Sequence, residues 1–287
     1  MVELMSGNGS FSRRLFRPFD RRPTVAVLRL SGVIGVGGPV PLRGNLTLTG
    51  LAGSIERAFA LRHLSAVALA VNSPGGSPVQ SALIAKRIRD LAQERGVPVL
   101  SFIEDIAASG GYWLACAGDE IFADASSIVG SIGVISAGFG FPELLAKLGI
   151  ERRVHTTAPR KAMLDPFRPE NPEDVALLIG LQEDIFQTFK AHVRERRGRR
   201  LKGDDETLFS GEVWSGRRGV ELGLVDGLGE MRAVLRQRFG DRVRLVPVGA
   251  KAGWLTRRLR PTGSDRDLAG EVIAAIEARA LWARYGL

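Results

Sequence analysis

The chain alternates continuous apolar runs with amphipathic segments along most of its length. The runs Thr24–Leu30, Ala66–Val71 and Val97–Ile103 are typical of buried strands. The segments Thr49–Leu61 and Val79–Glu94, which lie between them, carry apolar residues at helical spacing. This alternation of strand and helix predicts an α/β fold with a mostly parallel sheet.

Shorter elements continue the pattern in the second half of the chain. Strands are predicted at Glu120–Ala123, Ile128–Ile135, Glu151–Thr156 and Val243–Val248, and helices at Ser109–Cys116, Pro142–Leu148, Pro172–Arg197, Trp214–Leu222 and Met231–Arg238. The chain therefore divides into a basic N-terminal tail (1–23), one folded domain (24–248), and a basic linker with a C-terminal helix (249–287).

Composition narrows the class of protein. Hydrophobic residues make up 45% of the 287 residues and charged residues 25%, which is typical of a globular protein. The single cysteine, Cys116, excludes a disulfide framework and a cysteine-based zinc site, and we expect it to be a small buried hydrophobic residue. The three histidines lie far apart in sequence, so no metal centre is predicted. Without an apolar run long enough to cross a membrane, or a signal-peptide core, we expect a cytoplasmic protein.

The net charge of +9 comes mainly from arginine, since only six of the 40 basic residues are lysines. Residues 11–22 interleave five arginines with phenylalanine and leucine, a composition that suits either a solvated tail or contact with an anionic membrane surface. A second basic run, Arg194–Lys202, is predicted to be a solvated helix end. Neither run contains a nucleic-acid-binding motif, so no nucleic-acid partner is predicted.

Two glycine-rich turns follow predicted strands, where ligand sites of α/β sheets are commonly found. The first contains Gly75 and Gly76, whose backbone N–H groups can approach a ligand closely. The second places Ser109 before Gly110, at the start of a predicted helix. A serine beside free amides suits acyl transfer, which needs a nucleophile and oxyanion donors. A helix N-cap is the alternative interpretation of this serine, and serine caps are common.

The base that would activate such a serine is not evident from the histidines. Neither His63 nor His155 lies in a pattern that suggests a catalytic triad. Lysine can act as a base when burial makes it neutral, which arginine cannot do. Lys161 lies in an apolar, proline-containing loop, and a Ser-Lys pair is therefore one hypothesis. A solvated surface lysine is the other.

Five motifs, taken together, resemble the signal peptide peptidase A (SppA) family of serine peptidases. They occur in the family's order over about residues 24–238. They are NSPGG at 72–76, AASGGYWLA at 107–115, GSIGVI at 130–135, RKAMLDPFRP at 160–169 and FSGEVWSGRRGVELGLVDGLG at 209–229. The resemblance implies a crotonase-like (Clp protease-like) ββα superhelix in residues 24–248.

The resemblance also implies roles for individual residues. Ser109 matches the family's nucleophile and Lys161 its general base. Ser131 matches a serine that orients the lysine, and Gly76 and Gly110 match positions whose amides form the oxyanion hole. No metal or cofactor is implied.

The expected partners are peptides or unfolded proteins and further copies of the same chain, since the family forms ring-shaped homo-oligomers. Many family members carry an N-terminal membrane anchor, and none is recognised here, so we expect a cytoplasmic or peripherally attached peptidase. This departure argues against a signal-peptide substrate, although signal-peptide remnants and membrane-associated polypeptides are both kept as candidate substrates. Two other functions remain open: a catalytically idle oligomeric scaffold in protein quality control, and a crotonase-type acyl-CoA enzyme.

Overall fold

Eight strands form one sheet in the computed structural model, which describes residues 22–35, 45–249 and 279–287. The strands are β1 (Thr24–Ser31), β2 (Leu64–Ser73), β3 (Val99–Ala108), β4 (Glu120–Ala123), β5 (Ile128–Gly130), β6 (Val213–Ser215), β7 (Gly227–Leu228) and β8 (Arg244–Val248). Their order is β6-β5-β3-β2-β1-β8, and β4 lies beside β3 and β7. All the pairs are parallel in the described ranges apart from β5 with β6. The predicted α/β fold is confirmed.

Helices cover both faces of this sheet. One apolar cluster joins the sheet to the helices near the N-terminus and to the long helix at 172–197, and a smaller cluster joins the other face to the helix at 231–239. The helices are α1 (Leu48–Phe59), α2 (Pro78–Arg95), α3 (Gly110–Ala115), α4 (Pro142–Lys147), α5 (Pro172–Arg197), α6 (Asp205–Leu208), α7 (Gly216–Glu221) and α8 (Met231–Phe239). Two 3-10 turns lie at Pro159–Ala162 and Gly198–Arg200.

The apolar sequence of β2 follows from its burial on both faces. Val67, Leu69 and Val71 contact the larger cluster. Ala66 and Ala68 point the other way, into the smaller one. A central parallel strand covered on both sides has no polar alternation, which explains why the run is continuously hydrophobic.

The bounds of α2 are set by local chemistry at both ends. The Ser77 hydroxyl accepts a hydrogen bond from the Gln80 N–H, and Pro78 occupies the first turn, where its missing N–H costs nothing. Gly96 ends the helix in the left-handed conformation, with φ +61°. The helix therefore begins and ends within one residue of the prediction.

The carboxyl ends of three strands meet around the end of β3. The first part of β3 pairs with β4, over Leu100–Ile103, and its last part pairs with β5, over Ile106–Ala108. On its other side β3 pairs with β2 as far as Ser73. The glycine-rich turns that follow β2 and β3 are thereby brought together.

Several sequence-based expectations are wrong in detail. Residues 151–156 form no strand, because they lie mostly exposed with no neighbouring strand to pair with in the described ranges. The strand predicted to reach Ile135 ends at Gly130, where φ is +108° at Gly130 and +52° at Ser131. Trp214 lies in β6 rather than in a helix.

The basic run Arg194–Lys202 is not uniformly solvated. Arg197 is 2% exposed and donates hydrogen bonds to the Gly223 carbonyl and to Asp226. Its burial is compensated by this ion pair, which links the end of α5 to the turn before β7.

Most of the predicted tail (1–23) and the linker lie outside the described residues, and of the C-terminal helix only residues 279–283 are described as helical. No helix in the part of the chain that the structure describes could cross a bilayer.

Candidate active site

Ser109 occupies a sharp junction between β3 and α3. Its backbone has φ +53° and ψ −124°, a conformation that a residue with a side chain rarely adopts. Its N–H donates to the Gly130 carbonyl at 2.8 Å, and its carbonyl accepts from the N–H groups of Tyr112 and Trp113. A strand–turn–helix junction of this kind presents a serine hydroxyl at the edge of the sheet.

The hydroxyl of Ser109 is not used as a helix cap. No side-chain hydrogen bond caps α3, and the hydroxyl has no hydrogen-bond partner within residues 22–35, 45–249 and 279–287. The N-cap interpretation would have required such a bond. The side chain is therefore free for chemistry.

The turn after β2 lies directly against Ser109. A Cβ built on Gly75 would be 2.8 Å from Ser109 Cβ and 2.9 Å from the Gly110 nitrogen. A Cβ built on Gly76 would be 1.8 Å from the Ile34 carbonyl oxygen. Both glycines have positive φ, +104° and +140°, so the close approach and the conformation each require glycine.

Two backbone N–H groups beside the serine have no acceptor among the residues that the structure describes. Gly75 N–H is taken by the Ser73 hydroxyl at 3.2 Å. The N–H groups of Gly76 and Gly110 make no hydrogen bond to any described residue, and a Cβ built on Gly110 would lie 3.4 Å from the Gly76 nitrogen. Two unpaired amides next to a free hydroxyl are the arrangement that stabilises an oxyanion.

Ser131 lies next to Gly130, whose carbonyl accepts from Ser109 N–H. Its backbone also has positive φ, +52°, and its N–H donates to the Glu212 carbonyl at 2.6 Å. Its hydroxyl accepts a hydrogen bond from the Tyr285 hydroxyl at 3.3 Å. Ser131 is thus held directly after Gly130, the residue whose carbonyl accepts from the Ser109 N–H.

Lys161 is exposed and lies in the 3-10 turn Pro159–Ala162. Its ammonium makes no hydrogen bond or ion pair with the residues that the structure describes, and none links it to Ser109 or Ser131. The structure therefore brings together Ser109, Ser131, Gly76 and Gly110, while Lys161 stands apart with its side chain in solvent.

The neighbouring acid, Asp165, stabilises the loop of Lys161. It accepts hydrogen bonds from the Phe167 N–H and from Arg152. The Phe167 N–H, followed by Arg152, lowers the pKa of this carboxyl. Asp165 is accordingly a loop-capping carboxylate.

Other reactive side chains near Ser109 are occupied or inert. Burial raises the pKa of the Cys116 thiol to about 12, so this cysteine is the buried hydrophobic residue expected. Tyr112 is fully buried and donates to the Leu224 carbonyl. His192 lies 3.2 Å from the Trp113 carbonyl and stacks on its ring, and no histidine hydrogen-bonds to Ser109 in the described ranges.

Sequence reasoning missed the residues that support the turn glycines and Ser131. Ile34 pairs with Gly76 in an isolated β-bridge. Trp214 packs against Gly130, where an added Cβ would lie 2.6 Å from the indole. The sequence signal for these contacts is the glycine at positions 76 and 130. A glycine in or beside a strand indicates that another group approaches the backbone closely, but it does not show which residue that group belongs to.

Comparison with known proteins places this arrangement in a family. The family model for peptidase family S49 matches residues 91–239, which include Ser109, Ser131 and Lys161. The chain belongs to peptidase family S49. The resemblance seen in the motifs is thereby confirmed, and the S49 chain carries the mostly parallel α/β sheet described above.

Proteins similar to this chain differ in their length and in the activity that their names give. A protein of Brucella abortus named Na(+)/H(+) antiporter NhaA is 51% identical over 284 residues, which are 96% of this S49 chain and 38% of that protein. The serine protease SPPA of Arabidopsis thaliana, named as chloroplastic, is 28% identical over 87% of this chain and 39% of its own length. Protease 4 of Salmonella typhi is 31% identical over 74% of this chain and 34% of its own length. The chain thus spans about two fifths of the Brucella and Arabidopsis proteins.

Proposed function

We propose that this S49 peptidase is a serine endopeptidase that uses Ser109 as its nucleophile and Lys161 as its base. The observation that carries the proposal is the free hydroxyl of Ser109 beside the unpaired amides of Gly76 and Gly110. Neutral Lys161 takes the Ser109 proton as Oγ attacks the peptide carbonyl, and the two amides hold the oxyanion. Lys161 then protonates the leaving amine, and water hydrolyses the acyl-enzyme.

The exposure of Lys161 supports a site completed by a second copy of the chain. A lysine base must be largely neutral, and burial favours the neutral form. The segment 131–171, here called the arm, also exposes large apolar side chains, among them Ile135, Phe139 and Leu148. A neighbouring copy packed on the arm would cover these side chains and desolvate the lysine, with Ser131 orienting it. The proposed assembly is a ring-shaped homo-oligomer.

The proposed substrates are peptides or unfolded proteins, including signal-peptide remnants and membrane-associated polypeptides. The relatives named serine protease SPPA and Protease 4 support proteolysis. We propose action on the cytoplasmic side, with residues 11–22, of which 11–21 lie outside the described residues, contacting the membrane surface.

The direct test is hydrolysis of a quenched apolar peptide by the purified protein and by Ser109→Ala and Lys161→Ala. Each variant should lose at least about 10³-fold in kcat/KM, because each lacks one member of the dyad. Lys147→Ala is the matched control, since it removes another exposed lysine of the arm and should leave activity unchanged.

Mixing the two inactive variants before assembly adds a second readout. If a site draws Ser109 and Lys161 from different copies, mixed oligomers should regain part of the activity. Wild-type inactivity, or activity that survives both substitutions, would contradict the proposed dyad and leave the idle scaffold as the better description.

A further inference from the structure

The pairing of β2 with β3 becomes irregular just before the candidate site. Val71 is opposite Ile103, but Ser73 is opposite Ala107, so β2 advances by two residues while β3 advances by four. Asn72 alone therefore spans the stretch of β3 that contains Asp105. An irregularity of this kind re-aims the strand that follows it, and such features are common next to active sites.

Side chains bridge this irregularity. The Asn72 Nδ2 group donates to Asp105 Oδ2 at 2.7 Å. A hydrogen bond to a carboxylate is stronger than one between neutral groups. The main-chain carbonyl of Asn72 accepts from Gly32 N–H at 3.0 Å, which also ties this point to β1.

The side-chain amide of Asn72 is held in an orientation that leaves its oxygen without a hydrogen bond to any described residue. Its Oδ1 atom is buried and has no hydrogen-bond partner in the described part of the chain. An unpaired buried acceptor is costly, and each one in a folded protein calls for an explanation. Here the explanation is the bond made by Nδ2, which fixes the amide toward Asp105.

The bridge is close in sequence to both halves of the site. Ser73 follows Asn72, and its hydroxyl accepts from Gly75 N–H, while the next amide, that of Gly76, makes no hydrogen bond to a described residue. Asp105 precedes the last three residues of β3, which lead directly into Ser109. The bond therefore joins the two segments at the last place before they separate into the oxyanion turn and the nucleophile turn.

We propose that Asn72 and Asp105 are positioning residues, which set the separation between the Gly76 amide and Ser109 Oγ. This inference rests on the proposed function. The remaining pairs of β2 with β3, from Val67 to Val71, do not depend on the bridge. Its loss should therefore displace the oxyanion donor relative to the nucleophile while the sheet stays folded, and small displacements of catalytic groups have large kinetic costs.

The test compares Asn72→Asp, Asp105→Ala and the exchange Asn72→Asp with Asp105→Asn. Asn72→Asp sets two carboxylates against each other, Asp105→Ala removes the acceptor, and the exchange restores one amide and one carboxylate in contact. The measured quantities are kcat and KM for a quenched peptide, the rate at which a fluorophosphonate labels Ser109, and the melting temperature. Glu104→Gln is the control, because Glu104 lies beside Asp105 on β3 but pairs with Arg29 of β1.

Each single variant should lose about tenfold in kcat and in labelling rate, with KM changed less than about twofold, and the exchange should recover activity to within about threefold of wild type. If the pair only supported stability, the single variants would melt at a lower temperature while the folded proteins kept the wild-type kcat and labelling rate. A folded Asp105→Ala protein with wild-type kcat overturns the inference, and so does a folded exchange variant as slow as the singles. A wild-type protein that neither cleaves nor is labelled overturns the proposed function itself.

Discussion

At the scale of single residues, Gly110 shows how tightly the backbone around Ser109 is enclosed. A Cβ built there would lie 2.4 Å from Ser81 Oγ and 3.1 Å from Ile34 Cδ1. Gly110 has no positive φ, so the requirement for glycine comes from space rather than from conformation. The requirement for glycine directly after Ser109 is therefore explained by neighbours more than 25 residues away in sequence.

Gly110→Ala should destabilise the protein by about 1–3 kcal/mol, because the new methyl group overlaps Ser81 Oγ in a packed interior. It should also slow fluorophosphonate labelling of Ser109, since the Gly110 amide moves with the helix start. Adding Ser81→Ala removes the overlapping oxygen and should recover part of both losses. Urea unfolding and labelling rates measure the two effects.

The matched control is Gly180→Ala. Gly180 is an exposed glycine of α5 with open space around its Cα, so alanine should stabilise the helix by up to about 1 kcal/mol and leave labelling unchanged. If Gly110→Ala behaves like this control, the enclosure described here does not constrain the site.

Single residues could be singled out from sequence where chemistry and local turn geometry coincide. Ser109, Gly76 and Gly110 could be singled out because serine and glycine in turns after strands have few explanations. The apolar loop of Lys161 offered a Ser-Lys pair only as one of two hypotheses, and the family resemblance favoured it. The role of Lys161 stays a prediction. The Asn72–Asp105 contact could not be foreseen, because it depends on the register between two strands.

At the scale of elements, α5 packs against α3, the helix that begins directly after Ser109, and so holds the start of that helix in place. Trp113 of α3 stacks on Phe189 and His192 of α5, with ring centroids 4.8 and 4.9 Å apart. Burial, with a smaller contribution from Arg196, lowers the pKa of His192 from its usual value of 6.5. The contact between the two helices thus favours a neutral imidazole.

The stability of wild type should consequently fall as the pH drops below about 6.5. The unfolded chain binds a proton at His192 in this range and the folded chain does not, so the stability contributed by the neutral ring is present above 6.5 and is lost as the pH falls toward the lower folded value. His192→Phe keeps an aromatic ring against Trp113 and should reduce this dependence. Urea midpoints at pH 8, 7, 6 and 5 measure it, and equal slopes for both proteins would refute it.

The predicted bounds of an element were accurate where capping residues and the pattern of buried positions indicate the same bounds, as in α2. The prediction was wrong where strand formation depends on a neighbouring strand. Residues 151–156 have suitable β-branched residues but no neighbouring strand to pair with in the described chain. Arg197 could not be predicted to be buried, because its partner Asp226 belongs to a turn distant in sequence. Periodicity reports the face that an element buries, and it does not identify the partner.

At the scale of the whole molecule, the arm is the main place where the described chain leaves large apolar side chains in solvent. Phe139 is 83% exposed and Ile135 is 67% exposed. Exposed apolar patches of this kind commonly mark association sites. The proposed ring would bury them.

Phe139→Asp should therefore weaken self-association, since it places a charge in an apolar contact. Sedimentation velocity should show a smaller assembly, and peptidase activity should fall with it because Lys161 returns to solvent. Leu83→Asp is the control, as Leu83 is an exposed apolar residue of α2 and not of the arm. A monomeric Phe139→Asp protein with full activity would contradict an active site shared between two copies of the chain.

The burial of Cys116 has a practical consequence for chemical work on this protein. It is the chain's one cysteine, and its thiol has a pKa of about 12, so alkylating reagents meet almost no thiolate in the folded protein. A second cysteine introduced at an exposed position can then be modified selectively without first replacing the native one. Lys161→Cys treated with 2-bromoethylamine regains an amine of nearly the original length, with sulfur in place of Cγ, so the proposed base can be removed genetically and reinstalled chemically in the same preparation.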